Sequence, residues 1–196
     1  MAHALVVGGT GMLRGLCLAL ASRGHGVSVI AQRHGPLQEL AREAEKLPGS
    51  IHPIALDYGY THVLERGIVQ ATTEHGPISL AACWIHSDAP QALPTLGRVL
   101  SSQAASRTET GLEPTRVFVL VGSMAADPAL IDESRRHEAA FPTLRWRRII
   151  LGFKTDGPKT RWLTHDEIWR GTLDAIDHDW AESIVGIVRP WAKRPR

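Results

Sequence analysis

The stretch ALVVGGTGMLRG, residues 4–15, decides the fold. Four apolar residues, two of them β-branched, run straight into Gly8, Gly9 and Gly11. An amphipathic repeat follows at once. Leu13, Leu16, Cys17 and Leu20 stand at i, i+3, i+4 and i+7, one face of a helix, and Gly24 and Gly26 supply its stop. An apolar strand that turns through glycine into a helix opens a strand–helix–strand unit.

Outward from this unit the alternation continues. GVSVIAQR (26–33) reads as a second strand and GPLQELAREAEKL (35–47) as the helix after it. SIHPIALD (50–57) is a third strand, followed by a helix over 61–76. ISLAACWIHS (78–87) is a fourth strand, apolar on both faces, followed by a helix over 93–106. TRVFVLVGS (115–123) and WRRIILGF (146–153) read as strands five and six. Residues 163–178 form a helix that opens on a capping box, Thr164 with Glu167. Trp169, Thr172, Leu173 and Ile176 line one side of it, and SIVGIVRPW (183–191) reads as a short seventh strand. Strands buried on both faces and separated by helices predict an α/β fold. It is Rossmann-like, a doubly wound parallel sheet of about seven strands with helices on both faces, and a single domain over 1–196.

Composition narrows the partners. The chain has 196 residues, 43% apolar and 21% charged, the make-up of a soluble protein. A net charge of +2 does not mark a nucleic-acid or membrane binder. The basic end, AKRPR (192–196), reads as a solvated tail. Cys17 and Cys83 fall in apolar runs and read as small buried hydrophobes, so a reducing, cytoplasmic setting is expected. ALVV is too short for a signal or membrane span, and no metal-ligand set is read.

In a parallel α/β sheet the loop after the first strand lies at the carboxyl edge, where ligands bind. The next helix aims its N-terminal N–H groups and positive dipole end at that loop. A diphosphate fits if glycine lets the backbone come close. The loop residues Gly8, Gly9, Thr10, Gly11, Met12 and Leu13 are therefore expected to cradle a dinucleotide, with Arg14 leaning towards a phosphate. The end of the second strand chooses the coenzyme: an acid there holds the ribose 2′-hydroxyl of NAD, an arginine the 2′-phosphate of NADP. This chain has Arg33 and no acid. The expected coenzyme is NADP(H).

Gly8-Gly9-Thr10-Gly11-Met12-Leu13-Arg14-Gly15 resembles the G-x-x-G-x-x-G turn of short-chain dehydrogenase/reductases, with Arg14 at the third glycine and Gly15 one place late. The resemblance implies that Asp57, ending the third strand, bonds the adenine. It also implies that His86-Ser87-Asp88-Ala89 occupies the place of an Asn-Asn-Ala-Gly stretch, with Ser87 towards the coenzyme and His86 at the ribose or nicotinamide. It makes Ser123 the group that polarises the substrate carbonyl, and it places Gly152 and Phe153 at the nicotinamide pocket.

The family's Tyr-x-x-x-Lys pair is missing. The two tyrosines, Tyr58 and Tyr60, follow the third strand, and neither has a lysine four places on. Ser123 then stands without its usual proton donor, and His86 or His137 is the candidate replacement. The start VVGGTGML and the later WRRIILGF and RWLTHDEI look like a subgroup of short bacterial short-chain dehydrogenases that lack the pair. Trp162, Trp169, Trp180 and Trp191 crowd the last forty residues, which suggests packing and subunit contact. A homodimer or homotetramer is expected, since such reductases commonly assemble through late helices.

The reading that follows is an NADP(H)-dependent reductase of a small carbonyl or imine substrate. The alternative is a non-catalytic NADP(H)-binding sensor. An epimerase ranks last, because it also calls for the missing tyrosine.

Overall fold

The computed structural model describes residues 2–109, 111, 113–126, 136–157 and 159–195. Its first unit is β1 (His3–Val7), α1 (Arg14–Ser22) and β2 (Gly26–Ala31). Then come α2 (His34–Glu43), β3 (Ser50–Ala55), α3 (Thr61–His75), β4 (Ile78–Cys83), α4 (Ala92–Glu109) and β5 (Arg116–Gly122). The last part holds α5 (Arg136–Ala140), β6 (Arg145–Leu151), β7 (Phe153–Asp156), β8 (Lys159–Trp162), α6 (His165–His178) and β9 (Glu182–Val185).

Seven strands form one sheet in the order β3-β2-β1-β4-β5-β6-β9, each pair parallel. All five residues of β1 and all six of β2 are buried, as expected of strands covered on both faces. The period-two alternation splits their side chains between two cores. Val6, Val29, Phe118 and Ile149 pack with Leu13, Leu16, Cys17, Leu20, Leu37, Leu40 and Ile176 of α1, α2 and α6. Leu5, Val7, Ile30 and Val117 pack with Leu64, Ile68, Leu96 and Leu100 of α3 and α4. The expected doubly wound sheet is thus the observed one, and the expected stripe on α1 is its buried face. Both cysteines are free and buried, and burial pushes each thiol up to about 12.

Element ends differ from the sequence reading for local reasons. β4 stops at Cys83, so Trp84 to Ser87 lie beyond the sheet edge. β6 stops at Leu151. Phe153 instead opens an antiparallel hairpin, β7–β8, between the sixth strand and the next helix. β9 stops at Val185 because Gly186 turns at φ +81°. Ile187 then meets Phe153 and exchanges both backbone hydrogen bonds with it, each 2.9 Å. That bridge carries the C-terminal segment back across the carboxyl edge.

Candidate active site

The sheet order reverses between β1 and β4, and a cleft of about 580 Å³ opens at their carboxyl ends. Gly8, Thr10, Gly11 and Met12 form its floor, with Gln32 and Arg33 after β2 and Asp57 to Gly59 after β3. Trp84, His86, Asp88 and Ala89 close it from the β4 side, and His165 from the start of α6. A second cavity of about 340 Å³ adjoins it. Met12, Trp84 and His165 belong to both. The second cavity also takes in Gly122, Ser123 and Met124 from the end of β5, Leu151 and Gly152 from the end of β6, Trp162 from the hairpin, and Arg194 from the chain end.

Glycine serves three different purposes in the opening turn. Gly8 has φ +81°, and a Cβ there would fall 2.8 Å from the Trp84 carbonyl oxygen. A Cβ on Gly11 would meet nothing within 4 Å, so the backbone there is open to the cleft, as close approach of a diphosphate requires. Gly15 answers to packing: a Cβ would fall 2.4 Å from Nε1 of Trp169 on α6. The glycine one place late thus does the close-packing work usually given to the third position.

Of the expected coenzyme residues, Gly8, Thr10, Gly11, Met12, Arg33 and Asp57 line the first cleft and Gly152 lines the second cavity, where the expected catalytic Ser123 also lies. Asp57 also closes its own turn, with Oδ1 accepting the Gly59 N–H at 2.8 Å. Others lie elsewhere. Gly9 faces the core, where a Cβ would fall 2.4 Å from Cγ1 of Val29. Leu13 is wholly buried against the sheet. Arg14 does not lean towards a phosphate: it is ion-paired with Glu43 at the end of α2. Ser87 is exposed beside the cleft, whose lining passes from His86 to Asp88. Phe153 has no exposed surface and is held by the Ile187 bridge.

The two candidate acids part company. His86 is exposed on the rim of the first cleft, its ring 5.8 Å edge-on from Trp84, and its backbone N–H donates to the Tyr58 hydroxyl at 3.4 Å. His137 is nowhere near the site. Its ring lies edge-on to Trp146 at 4.7 Å. Trp146 precedes the carboxyl end of β6 by five residues, roughly 16 Å at about 3.3 Å per residue. Burial, then the Arg148 charge, lowers the His137 pKa. This imidazole is part of the packing between α5 and β6.

Among the site residues that the sequence reading did not assign there are Trp84, His165 and Arg194. The capping box did signal His165. Thr164 Oγ1 accepts the Glu167 N–H at 3.2 Å, and Glu167 takes the Thr164 N–H at 2.9 Å. The box fixes His165 as the first residue of α6, which starts at the carboxyl edge. Arg194 overturns the reading of a solvated tail. Its guanidinium lies 5.6 Å above the Trp162 ring and donates to the Met124 sulfur at 2.9 Å. Trp162 likewise walls the cavity, a place that packing or subunit contact did not foresee.

No protein-family model matches the chain, and no curated protein matches it. Solved structures do. An NADH-dependent reductase, A1-R′, complexed with NAD, is similar at a TM-score of 0.72 and 15% identity, over 94% of this chain and 95% of that one. An alcohol dehydrogenase from the archaeon Thermococcus sibiricus, complexed with 5-hydroxy-NADP, gives 0.71 and 15%, over 100% and 99%. A short-chain dehydrogenase/reductase from Serratia marcescens gives 0.70 and 15%, over 95% and 96%. The fold is the one these enzymes share, along nearly their whole length.

Proposed function

We propose that the chain is an NADP(H)-dependent oxidoreductase of the short-chain dehydrogenase/reductase type, reducing a small C=O or C=N group by hydride transfer. The shared wall carries the reading: Met12, Trp84 and His165 border both cavities, so one extended ligand can run from the glycine turn to Ser123. NADP(H) fits the first cleft. The opening at Gly11 suits the diphosphate, Arg33 suits a 2′-phosphate, and the end of β2 bears no acid to repel it. When bound, the coenzyme supplies the hydride. The chain's own residues do the rest. Ser123 donates a hydrogen bond to the oxygen that gains charge. Trp84 and Trp162 keep water from the reacting group. His165, on the shared wall, holds the proton that tyrosine carries in the resembled family, with His86 on the rim as the other imidazole in reach of the cleft.

NADPH oxidation with a panel of ketones and cyclic imines tests this, alongside calorimetry of NADPH and NADH. The expected result is turnover with NADPH bound the more tightly. Equal affinity for the two coenzymes rejects the NADP(H) preference. One observation favours a second reading, a sensor that reports coenzyme to a partner protein: among the described residues no tyrosine or lysine lines the second cavity. Binding without turnover, with a partner captured only when NADPH is present, selects the sensor. The reading takes the protein as cytoplasmic and as a homodimer or homotetramer, which light scattering checks. Among the described residues no helix is long and apolar enough to cross a membrane.

A further inference from the structure

We infer that the second cavity takes a ketone or cyclic imine whose body is an apolar ring, with the reducible C=O or C=N at Ser123 and the ring packed on Trp84 and Trp162. This rests on the reductase reading of the same site.

The wall decides the substrate class. Met12, Trp84, Leu151, Trp162, Leu163 and Ile168 supply most of it, and among the described residues no carboxylate lines the cavity. The hydroxyls of a sugar or a polyol chain would meet few partners there, and a polar group buried without one is costly. The Arg194 cation is engaged by the wall itself. Its guanidinium lies above the Trp162 ring and donates to the Met124 sulfur, so it braces the rim. At about 340 Å³ the cavity is near the lower end of the range for small-molecule sites, about 300–1,000 Å³. That volume suits a compact ring system rather than a long acyl chain, and indole faces favour stacking against a ring.

Depth then sets the orientation. Ser123 is 4% exposed and lies at the inner end of the cavity. Met124 and Trp162 are 49% and 44% exposed and form its mouth, joined by Arg194. A substrate therefore enters with its polar group leading. The oxygen or nitrogen reaches the buried hydroxyl, and the ring stays against Trp162 and Met124, covering apolar surface that otherwise faces water. Trp84 borders the coenzyme cleft as well, so it meets the part of the ring next to the reacting carbon.

Steady-state NADPH oxidation by the full-length protein tests the inference with cyclohexyl methyl ketone against its tetrahydropyran-4-yl analogue. The two share a shape and differ by an ether oxygen in place of a ring methylene. A methylene in an apolar pocket is worth roughly 10- to 200-fold, so the carbocycle should lead by at least about tenfold in kcat/KM. Trp162→Ala should close most of that gap, mainly through KM, and Trp162→Phe should keep it. NADPH affinity should match wild type in both. Equal kcat/KM for the two ketones in wild type, or a preference undiminished in Trp162→Ala, overturns the inference. Failure of NADPH to bind, or binding without turnover of either ketone, overturns the reductase reading instead. Calorimetry of the two ketones with the coenzyme-free protein then decides this inference by the same gap.

Discussion

The two halves of the site are built in opposite ways. The first cleft draws its floor and its coenzyme-choosing residues from one contiguous unit, residues 8–33, with single turns added after β3 and β4 and His165 alone from α6. The second cavity is gathered from segments far apart in the chain: Met12, Trp84, residues 122–124, 151–152, 162–168 and Arg194. Local rules fix the first, since a strand, a turn and a helix determine one another over a few residues. Tertiary packing fixes the second. The coenzyme end of the molecule is therefore written as a motif, and the reacting end is written as an assembly.

If the halves are separable, substitutions should divide cleanly between them. The largest effect is expected at Ser123. Removing one hydrogen-bond donor from a developing negative oxygen costs about 10²–10³ in kcat. Ser123→Ala should lose that much turnover and leave NADPH affinity unchanged by calorimetry. A parallel loss of coenzyme affinity would show that the two cavities are one unit energetically.

Gly8 is where the separation should fail. It lies in the first cleft, yet a Cβ would press on the carbonyl of Trp84, which walls both. A non-glycine residue at such a φ costs about 1–3 kcal/mol before the clash is counted. Gly8→Val should lower the melting temperature by roughly 2–4 °C per kcal/mol lost, as for a domain of this size, and weaken coenzyme and substrate together. A variant that melts normally and loses coenzyme binding alone would restrict the role of Gly8 to the turn.

Arg33→Ala should sharpen the contrast from the other side. Hydrogen bonds to charged groups contribute about 1.5–3 kcal/mol, so NADPH affinity should fall roughly 10- to 100-fold. NADH affinity should not move. A matching drop for NADH would place Arg33 on the diphosphate rather than on a 2′-phosphate.

How much of this the sequence discloses follows the same divide. The seven strands, the buried stripe of α1, the glycine turn and the Arg33 position are legible because each depends on near neighbours. Arg14 was misjudged because its partner, Glu43, belongs to another helix. His137 was misjudged because nothing in its own segment shows that it packs on Trp146, at the far side of the sheet from the carboxyl edge. Arg194 was lost for a related reason. A basic chain end looks solvated until Gly186 and the Ile187–Phe153 bridge fold it back. A charged tail after a glycine-broken strand is the one signal that could have raised the question.

The smallest effect tests how firmly the assembled half is held. Glu167 ties the hairpin to α6 through Lys154 of β7 and Arg161 of β8 and completes the capping box. These cations, Arg161 first, then Lys154, with the Thr164 N–H, hold its carboxyl well below the usual range. A carboxylate with a depressed folded pKa stabilises fully above its unfolded value, about 4.3, and loses that contribution as pH falls towards the folded one. Glu167→Gln should therefore cost about 1 kcal/mol, the usual scale of a lost cap. In urea unfolding the gap to wild type should be constant between pH 7 and 5 and should narrow steadily below about pH 4. The first cleft should bind NADPH as before, while turnover of the reduced substrate falls, because Trp162 ends β8 and walls the second cavity. A gap that ignores pH would mean that the hairpin is held by its apolar contacts and not by Glu167.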